Sequence, residues 1–287
     1  MPDHRITDLK ELTLKAIDLR MDTLRALTAA KSGHSAGPLG FADVFAALFF
    51  NAANITPGNP SAPERDRIVL SHGHICPILY TTMAHAGYFP VEELQTLRKL
   101  GTRLQGHPHR GTLPGLETTS GPLGSGTSQG AGMALAFKMN KTNRHVWVLA
   151  SDGEQQEGNT WEGAMFAGSR HLNNLTVILD RNYIQIDGNT EEVMALDPLG
   201  DKYRAFNWHV IEIDGHNLEA IIDAMAAAKN VHDRPTMIIA NVVPGKGVSF
   251  MENDYIWHGK PPTAEELEKA LTELSAWRDR VVKEIIN

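Results

Sequence analysis

The 287-residue sequence predicts an α/β fold, with one mostly parallel sheet and helices on both of its faces. Two observations lead to this prediction. Short apolar segments with strand character alternate with amphipathic helical segments, and the apolar segment 175–180 is continuous, as expected of a strand buried on both faces. With 42% hydrophobic residues, the chain can also bury one large core, so a single domain over residues 1–287 is predicted.

The individual elements follow from the spacing of apolar residues and from the residues that end each segment. Strands are predicted at residues 67–71, 145–150, 175–180, 209–214 and 236–243. Helices are predicted at residues 8–31, 41–53, 160–170, 199–206, 218–229 and 263–286, with another that ends near residue 86. The segment 101–132 is crowded with Gly, Pro, Thr and Ser and is predicted to be a functional loop.

Composition excludes several classes of protein. A net charge of -7 without a basic stripe argues against nucleic-acid binding. The single cysteine, Cys76, allows neither an intrachain disulfide nor a cysteine metal cluster, which is typical of a reducing compartment. No apolar segment has the length of a membrane span, and residues 1–5 do not lead into a signal sequence. The predicted location is therefore cytoplasmic.

Two polar segments follow predicted strands and are candidates for a metal site. Asp152 comes directly after the strand 145–150, and Asn182 follows the strand 175–180. If these strands are neighbours, about 4.8 Å apart, both side chains can reach one ion. Magnesium needs about six oxygens and takes few protein carboxylates, which leaves positions for phosphate oxygens. Gly153 leaves room for such a phosphate. The alternative is an ordinary Asp-Gly turn with Asn182 as a loop cap.

The spacing of these segments favours the metal site. Ser151-Asp152-Gly153 is followed by Asn182-Tyr183-Ile184 and Asp187-Gly188, and this resembles the thiamine diphosphate signature, in which Gly-Asp-Gly leads to an Asn about thirty residues later. Ser151 departs from the usual glycine of that signature. The resemblance implies a thiamine diphosphate-binding fold with Mg²⁺, or with Ca²⁺ or Mn²⁺ as substitutes.

Four histidines adjoin glycines in predicted loops, and imidazoles can donate to phosphate oxygens and sugar hydroxyls. With their neighbours they make the chain resemble the N-terminal half of a transketolase. The matching segments, in family order, are Ser32-Gly33-His34, residues 66–71 with Gly73-His74, Gly106-His107-Pro108, residues 118–124, Glu157-Gly158 and His258-Gly259.

The resemblance implies a role for each matching residue. Magnesium would be held by Asp152, Asn182 and the carbonyl of Ile184. The cofactor contacts would come from His74, Gly121, Leu123, Gly153, Glu157, Asn182 and His258. The catalytic histidines, which would orient the donor sugar and exchange protons with it, would be His34, His107 and His258. Which of them acts as acid or base is left open.

Two further positions carry alternatives. Glu157 and Glu162 match acidic residues near the dimer interface of transketolases, and a solvated helix face is the other interpretation. His109 stands after Gly-His-Pro, where the family often has an acidic residue, so contacts to the acceptor sugar are open at this position.

The resemblance also implies that part of the enzyme lies elsewhere. Transketolases activate the cofactor with a glutamate on a pyrimidine-binding domain, and that domain and a third one are expected on a separate C-terminal subunit in an α2β2 assembly. The implied reaction transfers a two-carbon ketol unit between sugar phosphates; the sugars and the pathway are open. The alternatives are a deoxyxylulose phosphate synthase, an oxoacid dehydrogenase α subunit, or a catalytically idle cofactor-binding subunit.

Overall fold

A five-stranded parallel sheet forms the centre of the computed structural model, which describes residues 5–286. Its strands are β1 (Arg67–Leu70), β2 (Val146–Ser151), β3 (Leu175–Arg181), β6 (His209–Asp214) and β7 (Thr236–Asn241), in the spatial order β1-β2-β3-β7-β6. A separate antiparallel pair follows β3 and consists of β4 (Ile184–Gln185) and β5 (Gly188–Asn189). The predicted fold class is confirmed. Residues 1–4 and Asn287 of the predicted single domain lie outside the described residues, as does most of the N-terminal segment that was assessed for a signal sequence.

Alternate side chains of the central strands enter two separate cores. In β2, Trp147 and Leu149 pack into the core beneath the helices at residues 9–30, 42–47 and 76–85, whereas Val146 and Val148 face the opposite core. All residues of β2 and β3 are buried. Both faces of the sheet are therefore covered, and only the ends of the strands are left to form a site.

Most helices lie close to their predicted positions. The helices are α1 (Leu9–Ala30), α2 (Ala36–Gly40), α3 (Ala42–Ala47), α4 (Cys76–His85), α5 (Ser125–Met139), α6 (Gly158–Ser169), α7 (Thr190–Val193), α8 (Leu199–Ala205), α9 (Leu218–Lys229) and α10 (Ala264–Ile286). Of these, α2, α5 and α7 were not predicted. The helix predicted at 41–53 consists of two parts, because α3 ends at Ala47 and a π-helical turn, Leu48–Ala52, follows it. The short helix α2 precedes both parts. Within residues 5–286, no helix combines the length and the apolarity needed to cross a membrane.

The prediction of a loop over residues 101–132 was wrong at its C-terminal end, where α5 begins at Ser125. The glycines that suggested a loop instead allow close packing of this helix. Gly126 lies directly against Ser71, and Gly130 against Val148 of β2, so a side chain at either position would clash. Small residues therefore bring α5 down onto the sheet.

A buried charged network joins elements that are distant in sequence. Arg20 of α1 donates to both carboxylate oxygens of Asp43 in α3, at 3.0 and 2.6 Å. His216, after β6, also bonds Asp43, at 2.8 Å, and accepts the amide proton of Val243 after β7. Burial alone would raise the pKa of Asp43, but the charge of Arg20 and the bonds from both partners outweigh it and lower the pKa to about 2.

Replacement of Asp43 by Asn is expected to reduce the free energy of unfolding at pH 7 by about 3 kcal/mol, because it leaves Arg20 buried without its counter-charge. Since the pKa of Asp43 is lowered, its contribution is present above the unfolded-state pKa and is lost as the pH falls towards about 2. Urea titrations at several pH values measure this. Asp223→Asn, on the exposed side of α9, is the control; equal stability of the two variants would contradict the expectation.

Candidate functional site

The polar segments after β2 and β3 lie side by side, which meets the condition on which the predicted metal site depended. Ser151 pairs with Asp180 in the parallel register, and the amide of Asp152 donates to the carbonyl of Asp180 at 3.1 Å. Asp152 and Asn182 therefore emerge together at the carboxyl end of the sheet, which is where open parallel sheets bind ligands.

An open pocket of about 390 Å³ lies at this edge. Its wall contains every residue for which the sequence predicted a catalytic, cofactor or metal role. These residues are His34, His74, His107, Gly121, Leu123, Asp152, Gly153, Glu157, Asn182, Ile184 and His258. They come from segments spread over more than two hundred residues of sequence, and the fold brings them to one place.

Asp152 is held firmly in the floor of the pocket. One carboxylate oxygen accepts from the amide of Gly153 at 2.7 Å, and the other accepts from the amide of Tyr183 at 2.7 Å and from Arg181 at 3.2 Å. Burial raises the pKa of Asp152 to about 6, although Arg181 and the two amides oppose the shift. The buried carboxylate would be further stabilised by a cation in the pocket.

The oxygens near Asp152 suit a hard divalent cation. Asn182 is buried beside it and accepts from the amide of Ile184 at 3.0 Å, which fixes the turn that carries the Ile184 carbonyl. Within residues 5–286, no three His, Cys, Asp or Glu side chains converge on a metal position. A metal here would thus take one carboxylate, one amide and one carbonyl, and this oxygen set is one that Mg²⁺ prefers, with phosphate or water completing it.

Gly153 keeps open the space above this floor. A Cβ at this position would meet only Gln185, at 3.7 Å, so the packing of the chain itself does not require glycine. The absent side chain leaves room on the pocket side of the backbone. This suits the close approach of an anionic group to the backbone.

Three of the predicted histidines form a compact cluster in the wall. The ring centroids of His34 and His74 are 4.9 Å apart, those of His74 and His258 are 5.3 Å apart, and those of His34 and His258 are 5.6 Å apart. Burial lowers the pKa of His34 and of His258 to about 4, and that of His74 well below its usual value. The rings are therefore neutral near pH 7, each with one donor and one acceptor nitrogen.

Several polar atoms of this wall have no partner within the part of the chain that is described. They include the Nδ1 atoms of His34 and His258 and the Oε1 atom of Gln185, and all are shielded from solvent. Buried polar atoms are almost always hydrogen-bonded. The pocket thus fits a polar ligand, and its composition agrees with a phosphate-bearing cofactor and a hydroxylated substrate.

His107 lies at the more exposed side of the pocket, where a second glycine permits a close approach. A Cβ on Gly73 would lie 2.5 Å from the Cβ of Ser120 and 3.2 Å from Cδ2 of His107. Glycine at this position therefore lets the segment 107–121 close over His74. Gly121 has φ of 151°, a conformation that other residues rarely adopt.

Some pocket residues were not predicted. Glu154 is fully buried in the turn after Asp152, and burial raises its pKa to about 8. Gln185 belongs to the antiparallel pair of β4 and β5, which the sequence did not suggest. Their proximity to Gly153 and Asn182 in sequence was the only available signal. Outside the pocket, Glu162 and His109 are exposed.

Comparison with known proteins agrees with this geometry. Residues 12–282 match the family described as the thiamine diphosphate-binding domain of transketolase. The chain is 44% identical to the 6-deoxy-6-sulfo-D-fructose transketolase subunit SqwG of Clostridium sp., over 92% of this chain and 96% of that protein. It is 39% identical to an apulose-4-phosphate transketolase subunit of Phocaeicola vulgatus, over 96% and 98% of the two chains.

Longer proteins match as well. The chain is 36% identical to rat transketolase over 95% of its own length but 43% of that protein. Among solved structures, transketolase from Campylobacter jejuni superposes with a TM-score of 0.87 at 31% identity, over 92% of this chain and 43% of that one. The chain thus spans less than half the length of these transketolases and nearly the full length of the subunits.

Proposed function

The chain belongs to the transketolase family through its thiamine diphosphate-binding domain, and from this premise we propose that it is the diphosphate-binding subunit of a two-subunit transketolase. The proposal rests on one observation: the carboxyl end of the sheet, with Asp152, and the cluster of three histidines line the same pocket. The proposed reaction moves a two-carbon ketol unit from a ketose phosphate to an aldose phosphate. It requires a second subunit.

The relatives support the division into subunits. Two proteins that this chain matches over nearly their whole length are named as subunits of transketolases, whereas transketolases in one chain are more than twice as long. We propose that a C-terminal subunit supplies the pyrimidine-binding part and that the assembly is an α2β2 heterotetramer. A cytoplasmic location is proposed as well, and the free, buried thiol of Cys76 is compatible with it.

In the proposed site, Asp152, Asn182 and the Ile184 carbonyl would hold Mg²⁺, which would supply positive charge for the diphosphate. His74, Gly153 and His258 would contact the diphosphate, and Gly121, Leu123 and Glu157 would contribute further cofactor contacts from the pocket wall. Thiamine diphosphate, when bound, supplies the carbanion chemistry that breaks and forms the carbon–carbon bond. The chain contributes binding, orientation and the exclusion of water.

The histidines are proposed to orient the donor sugar and to exchange protons with its oxygens. Neutral imidazoles at His34, His107 and His258 can each donate to one sugar oxygen and accept from another. The unpartnered Nδ1 atoms of His34 and His258 supply two of these positions. Glu157, in the pocket wall, and Glu162, outside the pocket, are both exposed, which leaves them available for contacts in the assembled enzyme.

Purified alone, the chain is expected to transfer no ketol unit from xylulose 5-phosphate to ribose 5-phosphate. Co-expression with the adjacent open reading frame should restore Mg²⁺- and cofactor-dependent transfer, because only the complex contains the groups that activate the cofactor. A coupled assay measures the transfer, and mass measurement of the complex tests the α2β2 stoichiometry.

The same preparation distinguishes the other thiamine enzymes. Donors corresponding to the sugars named for the relatives extend the assay, and pyruvate with glyceraldehyde 3-phosphate serves as the control for synthase activity. Robust transfer by the chain without a second protein would overturn the subunit proposal. Pyruvate-dependent turnover in place of ketol transfer would overturn the proposed reaction.

A further inference from the structure

We propose that Arg98 is a positioning residue that joins the loop of His34 to the loop of His107 and so sets the spacing between the two histidines. The inference rests on the proposed function for its kinetic consequence, because the two histidines face the donor sugar only if the site is that of a transketolase. Arg98 itself does not line the pocket.

The guanidinium of Arg98 bonds to both loops. Its Nη1 donates to the hydroxyl of Ser32 at 2.8 Å, two residues before His34. Its Nη2 donates to the carbonyl of Gly106 at 3.1 Å, next to His107. One planar, rigid group therefore fixes the distance between two segments more than seventy residues apart, in a way that a flexible ammonium could not.

The glycine that precedes His107 makes room for this contact. A Cβ on Gly106 would lie 3.0 Å from the guanidinium of Arg98. Gly33 has φ of 128°, which disfavours other residues, and a Cβ there would lie 2.5 Å from Cδ2 of Leu27 and at an ordinary contact distance of 3.8 Å from Nε of Arg98. The approach of Arg98 therefore accounts for glycine at position 106, whereas Leu27 and the backbone conformation account for it at position 33.

The backbone of Arg98 is itself held in an uncommon conformation. Its φ is 59°, in the left-handed region, and its amide donates to the carbonyl of Leu104 at 2.9 Å. A residue other than glycine keeps this conformation only where its surroundings stabilise it. From this backbone position the half-buried side chain of Arg98 reaches both loops.

The positive charge of Arg98 also affects the pKa of the two histidines. Among residues 5–286, no carboxylate forms an ion pair with it, and its Nε is buried without a partner. The pKa of His34 is lowered mainly by burial, then by His258, and then by the charge of Arg98. The pKa of His107 is lowered mainly by burial and then by the charge of Arg98. The same residue that spaces the imidazoles therefore helps to keep them neutral.

The 105–107 loop has a second attachment that serves as an internal control. The thiol of Cys76 donates to the carbonyl of Gly106 at 3.1 Å, and the hydroxyl of Tyr80 donates to that of Gln105 at 2.9 Å. These contacts come from α4 and do not reach Ser32. Their loss should loosen one loop, whereas loss of the guanidinium should loosen both.

Hydrogen exchange of the full-length chain tests whether Arg98 holds the two loops together, and it requires no enzymatic turnover. Arg98→Met is expected to accelerate exchange in both segments 32–35 and 104–107 by at least about tenfold. Ser32→Ala should accelerate exchange in the first segment and Cys76→Ala in the second. Acceleration confined to one segment in Arg98→Met, or in neither, would overturn the proposal. If the methionine variant does not fold, Arg98→Lys, which keeps the charge but lacks the planar group that reaches both loops, should accelerate exchange in at least one of the two segments, and exchange at the wild-type rate in both would overturn the proposal.

Kinetics of the reconstituted enzyme test the consequence. Arg98→Met should raise the donor KM about tenfold and lower kcat, with an unchanged Kd for thiamine diphosphate, and Arg98→Lys should recover part of the loss. Loosened loops with unaltered donor KM would refute a positioning role. If the wild-type complex transfers no ketol unit, the proposed function fails, and hydrogen exchange still decides whether Arg98 holds the two loops together.

Discussion

In the chain that carries Asp152→Asn, Mg²⁺-dependent binding of thiamine diphosphate is expected to weaken by at least about 100-fold, because changes to groups that only support metal ligands already cost about 10- to 100-fold. The substitution is nearly isosteric. Asn can still accept the amide proton of Tyr183, so the turn after β2 should persist while the negative charge is lost. Cofactor affinity is measured by titration of the reconstituted complex at several Mg²⁺ concentrations.

Asp187→Asn is the matched control for this experiment. Asp187 also lines the pocket, but it is exposed and lies on the turn between β4 and β5, away from the strand ends. Its loss should leave the Mg²⁺ dependence intact. The oxygen that accepts from Tyr183 also accepts from Arg181, so the Asp152 variant loses the bond from the amide of Gly153 but keeps an acceptor for Arg181. Arg181 also retains its ion pairs with Glu191 and Asp197, so the thermal unfolding midpoint should change little. Unaltered cofactor affinity in Asp152→Asn would refute the metal assignment.

The strand ends were predictable because the signals for them are local. Continuous apolar segments locate β2 and β3, and the polar residues that follow each segment necessarily lie at a carboxyl end. Adjacency of the two strands was an assumption until the register placed Ser151 opposite Asp180. The presence of His34 and His258 in the same pocket came from family resemblance, since no periodicity relates positions so far apart.

Other features could not be predicted because their signals conflict or are not local. The glycines and serines of α5 have low helix propensity, and tertiary packing against Ser71 and Val148 outweighs it. The pairing of Asp43 with Arg20 and His216 is likewise set by tertiary packing, which brings α1 and the segment after β6 to α3. Arg98 carries no motif of its own, and its relation to two Gly-His segments becomes visible only in three dimensions.

Two adjacent histidines are expected to fail in different ways when each is replaced by Ala. His34→Ala should lower kcat/KM of the reconstituted enzyme by about 100-fold, within the range that positioned acid–base groups contribute, with little change in cofactor affinity. His74→Ala should instead weaken cofactor binding by about tenfold, because a hydrogen bond to a charged group contributes about 1.5–3 kcal/mol. Steady-state kinetics and cofactor titration separate the two effects.

The ring centroids of His34 and His74 are 4.9 Å apart, and both rings lie in the same wall of the pocket. The two variants therefore test whether neighbouring imidazoles have different roles. A general disturbance of the pocket would affect both measurements in both variants. His109→Ala, outside the pocket and exposed, controls for the loss of an imidazole as such. If His34→Ala mainly raised the Kd for the cofactor, the donor-facing role would be wrong, and the cluster as a whole would belong to the diphosphate.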